Sequence, residues 1–346
     1  MAKNDVKTLD ELIKEMNKKS NESVVQFGIT SYDFKRIPFT SPRMNYMLFG
    51  GLPVGKLIEF YGEEHGGKTT SALDIIANYQ GMDDSRKVLY VDAENTLDVE
   101  WAKKIGVDVD AMIVFKPTSH SAEEIFQFVL DMIATGDIGL VIIDSFGVML
   151  SAQAMEKTME DKTYAGISGA LTTFSGKAEM LCQKTHCTLI GINQKRDDMN
   201  AQWAGASRTP GGRAWKHACA VRLEFTRGSF LDAKGNEIKR SSESPAGNKV
   251  EVAMTKNKTC PPTRRLGYYT INYDYGVDYI ADLTELAVKY DVIEQSGAWF
   301  AIKDPYTGEE VAKLQGQASV REYFENEDNV GILTLIEDYI DEQMNM

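Results

Sequence analysis

From about residue 38 the chain alternates between two kinds of apolar patterning. Near-continuous apolar runs read as strands buried on both faces: KLIEFYG (56–62), KVLYVDAE (87–94), MIVFKP (112–117), IGLVIIDSFGVM (138–149) and CTLIGINQ (187–194). Between them lie segments whose apolar residues recur at helical spacing. TTSALDIIANYQ carries Ala72, Ile75, Ile76 and Tyr79 on one stripe; VEWAKKIG is a short helix, and AEEIFQFVLDMIATG and TFSGKAEMLCQKTH are longer ones. AVRLEFTRG (220–228) and NKVEVAMTKNK (248–258) alternate apolar and polar positions and read as later, partly exposed strands. Strand–helix alternation of this kind predicts an α/β fold with a doubly wound, mainly parallel sheet. In such sheets ligands sit beyond the carboxyl ends of the strands.

Two flanking regions differ. Residues 6–19 read as a helix with Val6, Leu9, Leu12, Ile13 and Met16 on one stripe, followed by a strand candidate, VVQFGI (24–29). Elements this small cannot bury themselves, so they pack on the core or are donated to a neighbouring subunit. From about residue 267 the pattern becomes that of a small α+β unit, mostly helices, with a short hairpin near Gly297 and Gly308; VAKLQGQASVREYFE and VGILTLIEDYIDEQ follow. The expected organisation is an N-terminal oligomerisation arm over 1–37, the α/β core over 38–266 and a small C-terminal domain over 267–346. SSESPAG (241–247) reads as a surface loop.

Composition narrows the class. The 346 residues suggest about two domains, and 43% hydrophobic with 26% charged residues is ordinary for a soluble globular protein. No apolar run approaches the roughly 20 residues of a membrane span. The N-terminus lacks the apolar core of a signal peptide, so a cytoplasmic chain with no membrane partner is expected. Cys182, Cys187, Cys219 and Cys260 show no metal-ligand spacing and are expected to be reduced and packed. A net charge of −13 argues against nonspecific coating of DNA by the whole surface. Residues 193–217 are a local exception, with Lys195, Arg196, Arg208, Arg213 and Lys216 against Asp197 and Asp198.

The sharpest chemical signal is Gly62-Glu63-Glu64-His65-Gly66-Gly67-Lys68-Thr69, which fits G-x-x-x-x-G-K-[ST] between a strand and a helix. Backbone N–H groups and the helix dipole at that junction favour phosphate. Gly66 and Gly67 allow close approach, Lys68 reaches the β- and γ-phosphates, and the Thr69 hydroxyl binds Mg²⁺. Glu63, Glu64 and His65 are unusual beside a polyanion and are expected to face away. The bland reading is a glycine-rich turn with a surface lysine. Asp144, closing the strand LVIID, is the candidate second Mg²⁺ carboxylate. Glu94, at the end of YVDAE, is a candidate to orient and deprotonate an attacking water, with Asp92 as the alternative. Gln194, at the tip of LIGINQ, is a neutral amide able to contact a γ-phosphate, and the aperiodic segment 195–213 attached to it is a candidate switch.

These residues, taken together, resemble the RecA recombinases of bacteria and their phages. GGLPVGKLIEFYGEEHGGKTT, YVDAENTLD, VIIDS, INQ, TPGGRAWKHACAVRLE, TKNK and SGAWF fall in family order over about residues 40–300. The resemblance implies an ATP- and Mg²⁺-dependent helical filament on single-stranded DNA that pairs with homologous duplex DNA and exchanges strands. It implies that Gly62 through Thr70 hold the nucleotide, Asp98 and Trp101 contact adenine, and Glu94 is the catalytic carboxylate. Gln194 would couple nucleotide state to a DNA loop at about 195–210 carrying Arg196, Trp203 and Arg208, with Gly211 and Gly212 as its hinge and Arg213 beyond. Residues 155–166, with Lys162, would form the other DNA loop. Lys256 and Lys258 would reach the ATP of the adjacent subunit. His217 and the acidic first loop depart from the family pattern. Two further readings are a ring-forming helicase or translocase on the same core, and a nucleotide-dependent scaffold that binds no DNA.

Overall fold

The computed structural model describes residues 7–20, 34–82, 85–158, 166–197, 207–239 and 244–345. The chain forms two units, Met1–Phe34 and Lys35–Met346. The first contains helix α1 (Leu9–Ser20), started by a reciprocal cap in which Thr8 N–H donates to Glu11 and Glu11 N–H donates to the Thr8 hydroxyl. The strand expected over 24–29 lies outside the described residues.

The second unit is built on a ten-stranded sheet. Its strands in chain order are β1 (Leu57–Gly62), β2 (Lys87–Asp92), β3 (Met112–Phe115), β4 (Ile138–Asp144), β5 (Thr188–Gln194), β6 (Val221–Leu231), β7 (Gly247–Asn257), β8 (Leu266–Asn272) and β9 (Gly276–Val277). Glu237–Ile238 pairs with β6 off the main path. The spatial order is β9-β8-β7-β6-β1-β5-β4-β2-β3. All pairings from β6 to β3 are parallel, and those from β6 to β9 are antiparallel. This is the doubly wound, mainly parallel α/β sheet expected. β8 crosses the expected boundary between residues 266 and 267 and continues the large sheet.

The central strands are buried on both faces, and alternate residues serve two separate cores. Ile58 and Phe60 of β1, Leu140 and Ile142 of β4, and Ile190 and Ile192 of β5 pack on the face covered by α3 (Lys68–Gln80). Leu57, Val141, Ile143 and Leu189 pack on the opposite face, under α5 (Ala122–Ala134) and α6 (Ser168–Thr185). Helix α5 begins with a full capping box between Ser121 and Glu124, which fixes its start at the end of a polar turn. Helix α2 (Pro42–Leu48) starts on Ser41 with Pro42 in its first turn. Two shorter helices, α4 (Val99–Ile105) and α7 (Gly212–Ala218), flank the carboxyl-end side discussed below.

The C-terminal segment has its own small core of Leu283, Leu286, Ile293, Phe300, Ile302, Phe324 and Ile336. It combines α8 (Tyr279–Lys289), α9 (Gln317–Glu325) and α10 (Val330–Asn345) with three antiparallel strands, β10 (Ile293–Ser296), β11 (Trp299–Lys303) and β12 (Glu310–Gln315). VAKLQ, which follows the hairpin expected near Gly297 and Gly308, lies in β12, paired along β11. Its exposed and half-buried positions alternate, a period-2 pattern that the adjoining helix α9 obscures in sequence.

One buried acid ties α2's leading turn to α3. Asp74 is 2% exposed and accepts hydrogen bonds from Thr40 N–H at 3.0 Å and Asn78 Nδ2 at 3.3 Å. Burial pushes its carboxyl up to about 6 from the ordinary 3.8, against the pull of those donors. The folded protein therefore holds this proton more tightly than the unfolded chain. The resulting stability is fully present below about pH 4 and is lost as pH rises through about 6. Each tenfold difference in proton affinity is worth about 1.4 kcal/mol. We expect Asp74→Asn to flatten the fall in stability between these pH values, read as the difference from wild type in urea unfolding at each pH. An unchanged slope would show that the charge is not held in the dry core.

Candidate functional site

The carboxyl ends of β1, β5, β4 and β2 meet at one edge of the sheet, and the candidate residues gather there. β1 ends on Gly62, in register with Gln194 at the end of β5. Asp144 at the end of β4 is in register with Asp92 at the end of β2. The strand carrying Asp144 is thus not beside the phosphate-loop strand; β5 lies between them.

The phosphate loop is shaped by close backbone approach. A Cβ on Gly62 would meet the Phe225 carbonyl oxygen at 2.1 Å. Gly67, at φ +92°, would place one 2.8 Å from Val250 Cγ2. Gly67 also caps α3 without any side-chain hydrogen bond, so the first-turn N–H groups of a 13-residue helix are available to an anion. Lys68 folds over the loop, donating to the carbonyls of Gly62 at 3.3 Å and Glu63 at 2.5 Å. Burial pulls its ammonium below the usual lysine range, and the carboxylates of Asp144, Glu94, Glu64 and Glu63 pull it back up.

A pocket of about 450 Å³ opens from the loop, lined by His65 through Thr70, Trp101, Arg227, Asn248, Ile271 and Tyr273. Trp101 donates its indole N–H to Thr70 Oγ1 at 3.3 Å, which sets the ring as a wall of the pocket. Asp98 is not in this lining. Its carboxylate caps α4 by accepting from Trp101 N–H at 3.0 Å. Glu63, Glu64 and His65 are all exposed, and of the three only His65 lines the pocket. Its backbone is at φ +58°.

The oxygen ligands cluster beside Lys68. Thr69 donates from Oγ1 to Asp144 Oδ2 at 2.8 Å, and Tyr90 donates its phenol to the same oxygen at 3.0 Å. Burial raises the Asp144 carboxyl above its ordinary value, opposed by those two donors. A hydroxyl and a carboxylate, with a second carboxylate nearby, form the hard-oxygen set that suits Mg²⁺. That second carboxylate is Glu94, which accepts from the Ser145 hydroxyl and from Gln194 Nε2, the latter at 3.3 Å. Asp92 is committed elsewhere: it accepts from the N–H groups of Thr96 at 2.9 Å and Leu97 at 3.2 Å and shapes the turn. β2 stops at Asp92, so Glu94 projects from that turn rather than from the strand.

Beneath this edge runs a polar chain across three strands. Glu59, fully buried in β1, pairs with Arg222 of β6 and accepts from Asn193 Nδ2 of β5 at 2.7 Å. Asn193 Nδ2 also reaches the Pro210 carbonyl at 3.4 Å. Lys195 pairs with Glu224 at 2.7 Å, and Tyr61 donates to Thr255 Oγ1 at 3.0 Å. Gly211 and Gly212, both at positive φ, start α7. Arg213 is exposed on its first turn. Arg196 and Arg208 face each other in backbone register across a short antiparallel bridge. Lys162 and Trp203 lie outside the described residues. Lys256 and Lys258 do not line the pocket of their own chain. Lys256 Nζ donates to the carbonyls of Lys216 at 2.6 Å and His217 at 2.9 Å, and Lys258 Nζ to that of His217 at 2.9 Å, all at the C-terminal end of α7.

With this geometry in place, comparison with known proteins decides the family. Residues 7–278 match the model of the RecA N-terminal domain. This chain belongs to the RecA family. Protein RecA of Ruminococcus albus is 31% identical over 278 residues, 80% of this chain and 67% of that one. Protein RecA of Lactobacillus delbrueckii subsp. bulgaricus is 30% identical over 335 residues, 95% of each chain. Among solved structures, a RadB recombinase aligns over 68% of this chain and 96% of that one, at 19% identity and a TM-score of 0.49. Membership carries nucleotide binding and recombination as the family's business. Arg227, Asn248, Tyr273 and Tyr90 are the members of this RecA-family site that sequence reasoning missed. Arg227, Asn248 and Tyr273 lie on strands or turns remote in sequence, and only the sheet order brings them to the loop; Tyr90 lies on β2 close to Asp92, but a strand pattern does not show which neighbour its hydroxyl meets.

The polar chain under the site yields a stability test. Removing Arg222 would leave Glu59 charged, buried and without its cation. We expect Arg222→Ala to destabilise the protein by about 3 kcal/mol, at the low end for breaking a buried pair because Asn193 remains. Glu59→Gln combined with Arg222→Met should recover most of that loss in urea unfolding. Equal destabilisation of the two variants would mean the pair's charge is not what matters.

Proposed function

We propose that this chain is a DNA-dependent ATPase that assembles as a helical filament on single-stranded DNA, pairs it with homologous duplex and exchanges strands. The observation that carries the reading is the convergence of Lys68, Thr69, Asp144, Glu94 and Gln194 at the carboxyl edge of the sheet, with the lysine pair 256/258 turned to a different surface. Family membership supports the same conclusion.

The N–H groups of the phosphate loop and the Lys68 ammonium bind and orient the phosphates, with Trp101 packing on the base. Thr69 and Asp144 would hold Mg²⁺, which would supply charge neutralisation to the phosphates. Glu94 accepts the proton of the attacking water as its oxygen bonds to the γ-phosphorus and the bond to the β-phosphate oxygen breaks. The Gln194 amide, held by the same Glu94 oxygen that receives the Ser145 hydroxyl, meets the γ-phosphate and changes partner when it leaves. That movement passes to residues 195–210, which present Arg196, Trp203 and Arg208 to the DNA backbone and bases. Lys256 and Lys258 serve the nucleotide of the neighbouring protomer, so hydrolysis requires assembly.

Four measurements test this. Lys68→Ala should abolish hydrolysis, and near-normal turnover would remove the phosphate-loop assignment. Single-stranded DNA should stimulate ATP hydrolysis strongly; an identical rate with and without it favours a scaffold. Lys256→Ala should lose the stimulated activity while the isolated protomer keeps its affinity for a fluorescent ATP analogue, and a parallel loss of that affinity would place the lysine in its own site. Electron microscopy with single-stranded DNA and a slowly hydrolysed ATP analogue separates filament from ring.

A further inference from the structure

Tyr90 has no role in the reading above, yet its position is unusual. It sits on β2, 1% exposed, with its ring in the apolar core that the sheet shares with α3. Its only polar atom is the phenolic oxygen, and that O–H donates to Asp144 Oδ2 at 3.0 Å. A phenylalanine would fill the same volume without this bond.

The geometry points to Tyr90 as a positioning residue for the metal-holding carboxylate, an inference that rests on the reading of Asp144 and Thr69 as the Mg²⁺ residues. Among the described residues, both hydrogen bonds to the Asp144 side chain fall on one oxygen: Thr69 Oγ1 at 2.8 Å and Tyr90 at 3.0 Å donate to Oδ2. A carboxylate oxygen offers about two lone-pair sites. Two donors therefore engage Oδ2 and leave Oδ1 to face the metal or a water on it. Thr69 gives up only its proton to Asp144 and keeps its own lone pairs, so it can donate to the carboxylate and ligate the metal at once. That double duty depends on the carboxylate staying put. Tyr90 is the partner that does not ligate: it is anchored in the core by its ring and stops Asp144 from rotating about its terminal bond. Groups that orient metal ligands in this way typically account for about tenfold to hundredfold in metal affinity.

The experiment titrates a fluorescent ATP analogue into the full chain, wild type and Tyr90→Phe, across a Mg²⁺ series that begins in EDTA. The Mg²⁺ concentration at half-maximal nucleotide binding should rise about tenfold in Tyr90→Phe, while affinity in EDTA stays as in wild type. An unchanged Mg²⁺ requirement overturns the proposal. So does an equal loss of affinity with and without metal, because Tyr90 would then merely shape the pocket. If wild type itself binds the nucleotide without regard to Mg²⁺, the assignment of Asp144 and Thr69 fails first, and that result is visible before any variant is compared.

Discussion

A carboxylate in the middle of the sheet sets the terms for everything at its edge. Glu59 occupies a strand position with no access to water, and Arg222 and Asn193 reach its carboxylate from the strands on either side. Each of those partners comes from a different neighbour of β1, so the three strands are locked in one register. A slip of β5 by one residue would remove Asn193 from Glu59 and turn Gln194 away from Glu94. The same register that satisfies the buried charge therefore delivers the amide to the carboxylate at the sheet edge. Stability and site geometry are not separate achievements in this part of the molecule.

The polar chain also ties down both ends of the segment after Gln194. Lys195 is held by Glu224, which lifts its ammonium above the usual range mainly through that hydrogen bond, and the Pro210 carbonyl is held by Asn193. The stems are fixed to β6 and β5, while the stretch between them carries charge of both signs, Arg196 and Arg208 against Asp197 and Asp198. Any displacement of the β5 tip is thus communicated to both stems at once. Arg222, which lies against the Tyr61 ring at 4.6 Å as well as on Glu59, extends the connection toward Thr255 and the Lys256 end of β7.

Much of this was readable in the chain. The phosphate loop, the strand ending on Asp144 and the strand ending on Gln194 are local signals, because a buried parallel strand and a helix start each declare themselves within about ten residues. What sequence could not supply was order in space. Asp92 and Glu94 sit two residues apart and look interchangeable; only the turn that consumes Asp92's oxygens separates them. The extent of β12 is not legible because its alternation is short and runs straight into α9. Arg227, Asn248 and Tyr273 reach the pocket through antiparallel additions to the sheet, and no spacing rule connects them to a loop more than 150 residues earlier. The segments carrying Lys162 and Trp203 have little periodicity, and there the sequence offered only a family resemblance.

The buried Asp74 has a practical corollary for handling the protein. Its proton is released as the solution approaches neutrality, so the stability this one group contributes is largest on the acid side of that point. The surface obeys the opposite trend, because the acidic residues that give the chain its net charge of −13 discharge in that same direction and mutual repulsion between molecules fades. Asp74 and the surface charge therefore pull the choice of buffer in opposite directions, one toward acid for rigidity and the other toward neutrality for dispersal.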